Sequence, residues 1–114
     1  NIKLVAFFLK NLMIMKNYVK EVSKARLLFK NFLKKYNIEM IGKYSNTVLF
    51  KLRDNTQVKR MVSKLLKKKF IVRPMTIDDD DTFIRCTLGS VKIMKKFNKE
   101  FSIIIKEIKW VNGE

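Results

Sequence analysis

A chain of 114 residues with 47% hydrophobic residues has the size of one ordinary domain and can bury a real core, which excludes a disordered tail. A single cysteine, Cys86, and the absence of histidine exclude a disulfide framework, a Cys/His zinc site and all histidine-based acid, base or nucleophile chemistry. The formal charge of +16 taken alone points to a polyanion or an anionic membrane, but the basic residues are mostly lysines set between apolar positions, the pattern of a solvated helical face.

In chain order, Ile2 to Met15 is apolar nearly all round. It is too short to span a membrane, because about 20 apolar residues are needed and Lys3 and Lys10 fall inside the window. It lacks the small-residue cleavage site of a secretory signal. Residues 1–16 therefore read as a buried or interdomain helix that needs cover on more than one side. From Asn17 to Tyr36 the residues Tyr18, Val22, Ala25, Phe29, Phe32 and Tyr36 recur at spacings of three and four, which predicts a second, amphipathic helix ended by Asn37.

Ile38 to Ile41 reads as a short strand, Gly42 to Asn46 as a turn, and the alternation of Val48, Phe50 and Leu52 predicts a half-buried strand. Asp54 and Gln57 have the spacing of a capping box ahead of the stripe Val58, Met61, Val62, Leu65 and Leu66. Phe70 to Arg73 is predicted as a strand stopped by Pro74, and Thr76 to Asp81 as a loop. Phe83 to Leu88 alternates, placing Ile84, Cys86 and Leu88 on the core side and Phe83, Arg85 and Thr87 opposite. Ser90 is a candidate N-cap for a last helix with the stripe Ile93, Phe97, Phe101, Ile104, Ile105 and Ile108. Residues 1–114 thus form a single domain, α/β or α+β, with two leading helices and further helices packed on a small sheet.

The stretch Phe70-Ile71-Val72-Arg73-Pro74-Met75, followed by Thr82-Phe83-Ile84-Arg85-Cys86-Thr87-Leu88-Gly89-Ser90, resembles the end of histidinol-phosphate aminotransferases and threonine-phosphate decarboxylases. There a "G-I-x-V-R-P" strand precedes an "L-R-I-T-x-G-T" strand and a closing helix. Ser45-Asn46-Thr47-Val48-Leu49-Phe50 is similar to the family's "A-N-F-x-L-V" strand, and Arg26 lies where its long helix carries an "R-x-x-L-x-x-x-L" run. The sequence departs from the pattern at Ser90, Val91 and Lys92, at Thr47, and at Lys69, which takes the place of a glycine.

The resemblance implies the C-terminal small domain of a pyridoxal-phosphate-dependent aminotransferase. Arg85 would grip the carboxylate of an amino-acid or phosphate-bearing substrate, and Arg73 would help receive its phosphate or carboxylate end. A guanidinium suits this role because it forks two parallel hydrogen bonds onto such a group. It also implies that pyridoxal 5'-phosphate is bound by a large domain missing from this fragment, together with the Schiff-base lysine. The fragment would then have no catalytic residue of its own and be inert. A cytoplasmic homodimer is expected of the full-length enzyme.

No metal site is expected, since consecutive carboxylates at Asp78 to Asp81 cannot all point inward and have no EF-hand spacing. No membrane partner and no specific nucleic acid are expected either. The alternative is a basic α/β nucleic-acid-binding module of the RNA-recognition type. It needs aromatic residues on an open sheet face, and only Phe83 qualifies.

Overall fold

The computed structural model describes residues 2–42 and 45–108. The elements are α1 (Ile2–Lys34), β1 (Met40–Ile41), β2 (Thr47–Lys51), α2 (Asn55–Lys67), β3 (Arg73–Ile77), β4 (Asp80–Thr87) and α3 (Val91–Glu107). The class is α+β, with a four-stranded antiparallel sheet in the order β1-β2-β4-β3.

One helix leads the domain where two were expected. With no glycine or proline before Gly42, nothing between Met15 and Asn17 breaks the backbone, so residues 2–16 are not a helix of their own. From Ile2 the 33-residue α1 runs straight into the amphipathic stretch. Only its second half is rooted: Val22, Ala25, Phe29 and Leu33 are buried, whereas Ile2 (89% exposed), Leu4, Phe7, Phe8, Met13 and Tyr18 stand out. That arm gives a radius of gyration of 17.0 Å, against about 13 Å for a compact domain of this length.

Helix ends follow local chemistry. Asp54 caps α2 by accepting from the Gln57 N–H at 2.8 Å, while the Gln57 side chain accepts from the Arg53 N–H at 3.1 Å, one residue ahead of the usual capping-box partner. Ser90 caps α3 by accepting from the Ile93 N–H at 3.2 Å. Both α1 and α2 close on a left-handed residue, Asn37 (φ 55°) and Lys69 (φ 68°). At α2 the Lys69 N–H bonds the Leu66 carbonyl and the Phe70 N–H the Leu65 carbonyl, each at 2.9 Å, which is a Schellman closure. Such a position favours glycine because L side chains strain there, so Lys69 fills a glycine's conformation.

Several strand boundaries differ from expectation; β1 begins at Met40 and not at Ile38, and β4 at Asp80 and not at Phe83. Phe70 to Val72 are not in the sheet; β3 begins at Arg73 and continues through Pro74, which an edge strand tolerates because it has no ladder donor to lose there. The expected loop from Thr76 to Asp81 is instead a tight hairpin. Ile77 pairs with Asp80, and Asp78 (φ 50°) and Asp79 (φ 64°) supply the two left-handed residues of a primed turn.

The core lies between one sheet face and the helices. Val48, Phe50, Ile84 and Cys86 point into it, and Phe29, Phe50, Phe97 and Phe101 meet edge to face or tilted at 5.5–5.9 Å. Ile93 is half exposed and Met94 takes its place inside, while Leu66 and Tyr18 also lie outside their expected stripes. The Cys86 thiol is pushed up to about 12 by its burial, consistent with a core residue.

Candidate functional site on the open sheet face

Because strand side chains alternate, burying Ile84 and Cys86 turns Phe83, Arg85 and Thr87 to the other face of β4. The register then decides the neighbours of Arg85. On one side its partner is Leu49 of β2, and beyond that Ile41 of β1; on the other it is Arg73 of β3. The two expected site residues are thus brought together as a directly opposed cross-strand pair, with Cβ atoms about 5 Å apart by sheet geometry. Both are exposed, and neither has an ion-pair partner among the described residues.

Two arginines opposed across a strand pair without a carboxylate partner repel each other, an arrangement that contributes nothing to folding and favours an anionic guest. The row below is more apolar: Lys51 of β2 pairs with Phe83, which pairs with Met75. Lys51 is held in place from two sides. Its ammonium lies 2.9 Å from an Asp80 carboxylate oxygen and 5.7 Å from the Phe83 ring centroid. Asp80 also accepts from the Thr82 hydroxyl and, at 3.0 Å, from its N–H. Chiefly the Thr82 hydroxyl, and then Lys51, bring its carboxyl down to about 2. Lys51 over Phe83 occupies the one aromatic surface that a base-stacking platform would need, which counts against the RNA-recognition alternative.

Arg26 has a role not expected from sequence. Its guanidinium donates to the Ser45 carbonyl, and the adjoining Asn46 carbonyl accepts from the Leu88 N–H at 2.7 Å. The long helix is thereby tied to the chain entering β2 and to the end of the strand that carries Arg85. Arg26 also borders a groove of about 540 Å³ with Ser23, Leu27, Lys30, Met40, Ile41 and Gly42, at the β1 edge, two strands from Arg85. The signal for the arginine register was present as Asp78-Asp79, a pair suited to a two-residue primed turn.

A pyridoxal cofactor needs a lysine in a sheltered pocket and a phosphate cradle. None of the described lysines is buried; the buried polar side chains are those of Gln57 and Asn98. The residues present do not fit the cofactor. Among the described residues there is no cluster of three metal-ligand side chains, and no helix long and apolar enough to cross a membrane.

An antiparallel sheet with helices on one face, and two arginines on the other, defines an α+β domain. Among solved structures the fold is that of part of the histidinol-phosphate aminotransferases. The enzyme from Sinorhizobium meliloti, in complex with pyridoxal-5'-phosphate, superposes with a TM-score of 0.75 at 14% identity, over 88% of this chain and 28% of its own. The Clostridium acetobutylicum enzyme gives 0.68 at 21% identity, over 87% of this chain and 31% of its own. The chain spans only about a quarter to a third of the length of such structures. No family profile and no curated protein matches the sequence.

Proposed function

We propose that this chain is the C-terminal small domain of a pyridoxal-phosphate-dependent aminotransferase of the histidinol-phosphate type. In this reading Arg85 receives the substrate's carboxylate or phosphate and Arg73 assists. The observation that carries it is the opposed, unpaired arginine couple on an open sheet face, at the positions where the sequence resembles the family's strands. The cofactor, when bound, supplies the electron sink for amino transfer, and it belongs with the Schiff-base lysine on the large domain.

The contribution of this chain is binding and orientation. Arg85 fixes an anionic end bidentately, Arg73 adds a second positive group alongside, and Leu49, Ile41 and Met75 give the neighbouring surface an apolar character that strengthens the ion pairs once water is expelled. The exposed arm of α1 would be the interdomain helix, covered by the large domain. The complete enzyme would be a cytoplasmic homodimer acting on an amino acid or an amino-alcohol phosphate and a 2-oxo acid, and the present chain would be inert alone.

Two measurements test this. In the complete enzyme Arg85→Ala should lower kcat/KM by roughly 30-fold to several thousandfold, since losing one partner of a desolvated charge pair costs about 2 to 5 kcal/mol. Arg85→Lys should recover little. A change within about twofold for every accepted substrate would remove the role given to Arg85. In the 114-residue chain, borohydride treatment with pyridoxal phosphate should label no single lysine stoichiometrically; one specific labelled lysine would overturn the fragment reading.

A further inference from the structure

We infer that the outward face of α3 binds the phosphodiester backbone of nucleic acid without regard to base sequence. At 3.6 residues per turn, Lys92, Lys95, Lys96, Lys99 and Lys106 fall within an arc of about 100°, opposite the buried Phe97, Phe101 and Ile104. All five are exposed. The two acidic residues of the helix, Glu100 and Glu107, lie at one margin of this arc. Glu107 lies 2.9 Å from Lys64 and Glu100 lies 3.8 Å from Lys68, so both carboxylates turn sideways onto lysines of the α2 side.

A merely solvated face gains from opposite charges interleaved at three and four residues, whereas Lys92, Lys95, Lys96 and Lys99 stand at those spacings from one another and only Lys96 has an acidic residue, Glu100, four positions on. Because α3 packs against both α1 and α2, the stripe runs along the middle of the helical layer, on the side away from Arg73 and Arg85. From Lys92 to Lys106 it rises about 21 Å, the length of about six phosphates along one strand of a duplex. Lysine presents a point charge without a fork, which suits backbone contact more than base reading. Interfacial membrane binding needs apolar side chains to enter the lipid. Here Ile103 alone stands among the lysines, which favours nucleic acid.

The experiment is fluorescence anisotropy of the 114-residue chain with labelled DNA duplexes of two unrelated sequences, at 50 and 200 mM salt. Five phosphate contacts predict a loss of affinity of roughly 500-fold between these salts, with equal affinity for both sequences. Lys95→Gln/Lys96→Gln/Lys99→Gln should weaken binding roughly a hundredfold and lower the salt slope by about 3. A control with the same loss of charge, Lys10→Gln/Lys16→Gln/Lys20→Gln on the arm of α1, should leave the slope nearly unchanged. Circular dichroism establishes that both variants fold. The inference is overturned if the two variants lose affinity equally, if binding is sequence-selective and salt-tolerant, or if vesicles rich in phosphatidylglycerol bind through the stripe while duplex DNA does not.

Discussion

Replacing Arg85 by threonine should make the isolated chain more stable. Arg85 and Arg73 are direct cross-strand neighbours, both exposed, and neither meets a carboxylate among the described residues. Like charges so placed are destabilising by about 0.2–1 kcal/mol, and threonine is a good strand former at an exposed site. For a domain of this length about 4 °C in Tm corresponds to 1 kcal/mol, so the gain should be about 1–4 °C. Arg85→Lys keeps the charge and should change little. Once Arg85 is threonine, Arg73→Thr should bring no second gain, because the two effects share one repulsion. The whole difference should shrink in 1 M salt, where exposed charges are screened within about 3 Å. Thermal and urea denaturation followed by circular dichroism, run as a double-mutant cycle at low and high salt, measure all of this. If Arg85→Thr instead lost more than about 1 kcal/mol, Arg85 would be a structural residue, and the case for an anion site on this face would fall with it.

The remaining expectations concern what holds that face in place. Phe101→Ala should cost about 3–5 kcal/mol in urea unfolding, since Phe101 is fully buried against Phe32, Phe50 and Phe97; a loss below about 1 kcal/mol would contradict the packing described. Lys69→Gly should stabilise the chain by about 0.5–1 kcal/mol, because a left-handed closing residue is strained with a side chain; a destabilised variant would mean that the lysine side chain contributes there. Asp80 has a folded pKa below its ordinary value, so its contribution is present above about pH 4 and disappears as pH falls toward 2. The stability difference between wild type and Asp80→Asn should therefore be measurable at pH 5 and vanish near pH 2, and a difference that persists there would count against the Thr82 and Lys51 contacts.

The helical stripes were legible because burial imposes the 3.6-residue period directly: Val22, Ala25 and Phe29, and again Phe97, Phe101 and Ile104, lie inside as expected. The face carrying Arg85 was legible for the same reason at period two. What escaped was connectivity between elements. Apolar residues that circle the arm of α1 give no stripe to follow, so its continuity into the rooted half could be read only from the lack of a breaker. Four consecutive aspartates suggested a polar loop, although two of them supply the positive φ of a hairpin. Pro74 suggested a stop, although an edge strand loses nothing by it. The last two misreadings hid the pairing of Arg73 with Arg85, because register depends on turn length, and a slip of one residue would have sent Arg73 to the opposite face. Arg26 was visible as a residue, but its bond to Ser45 joins segments 19 positions apart that no local pattern relates.

The unbroken α1 has a mechanical consequence. Its tip at Ile2 lies about 30 Å from its root at Val22, with no glycine or proline between them to act as a pivot. The helix is therefore a lever whose short end is fastened, through Arg26 and Ser45, to the strands bearing the two arginines. Turning the sheet by 5° about that fastening would sweep Ile2, about 36 Å from Arg26 along the helix, through about 3.1 Å. A body clamped along the arm would feel any tilt of the arginine face as a displacement large enough to make or break a contact. The same rotation, read in reverse, would let that body aim the arginines.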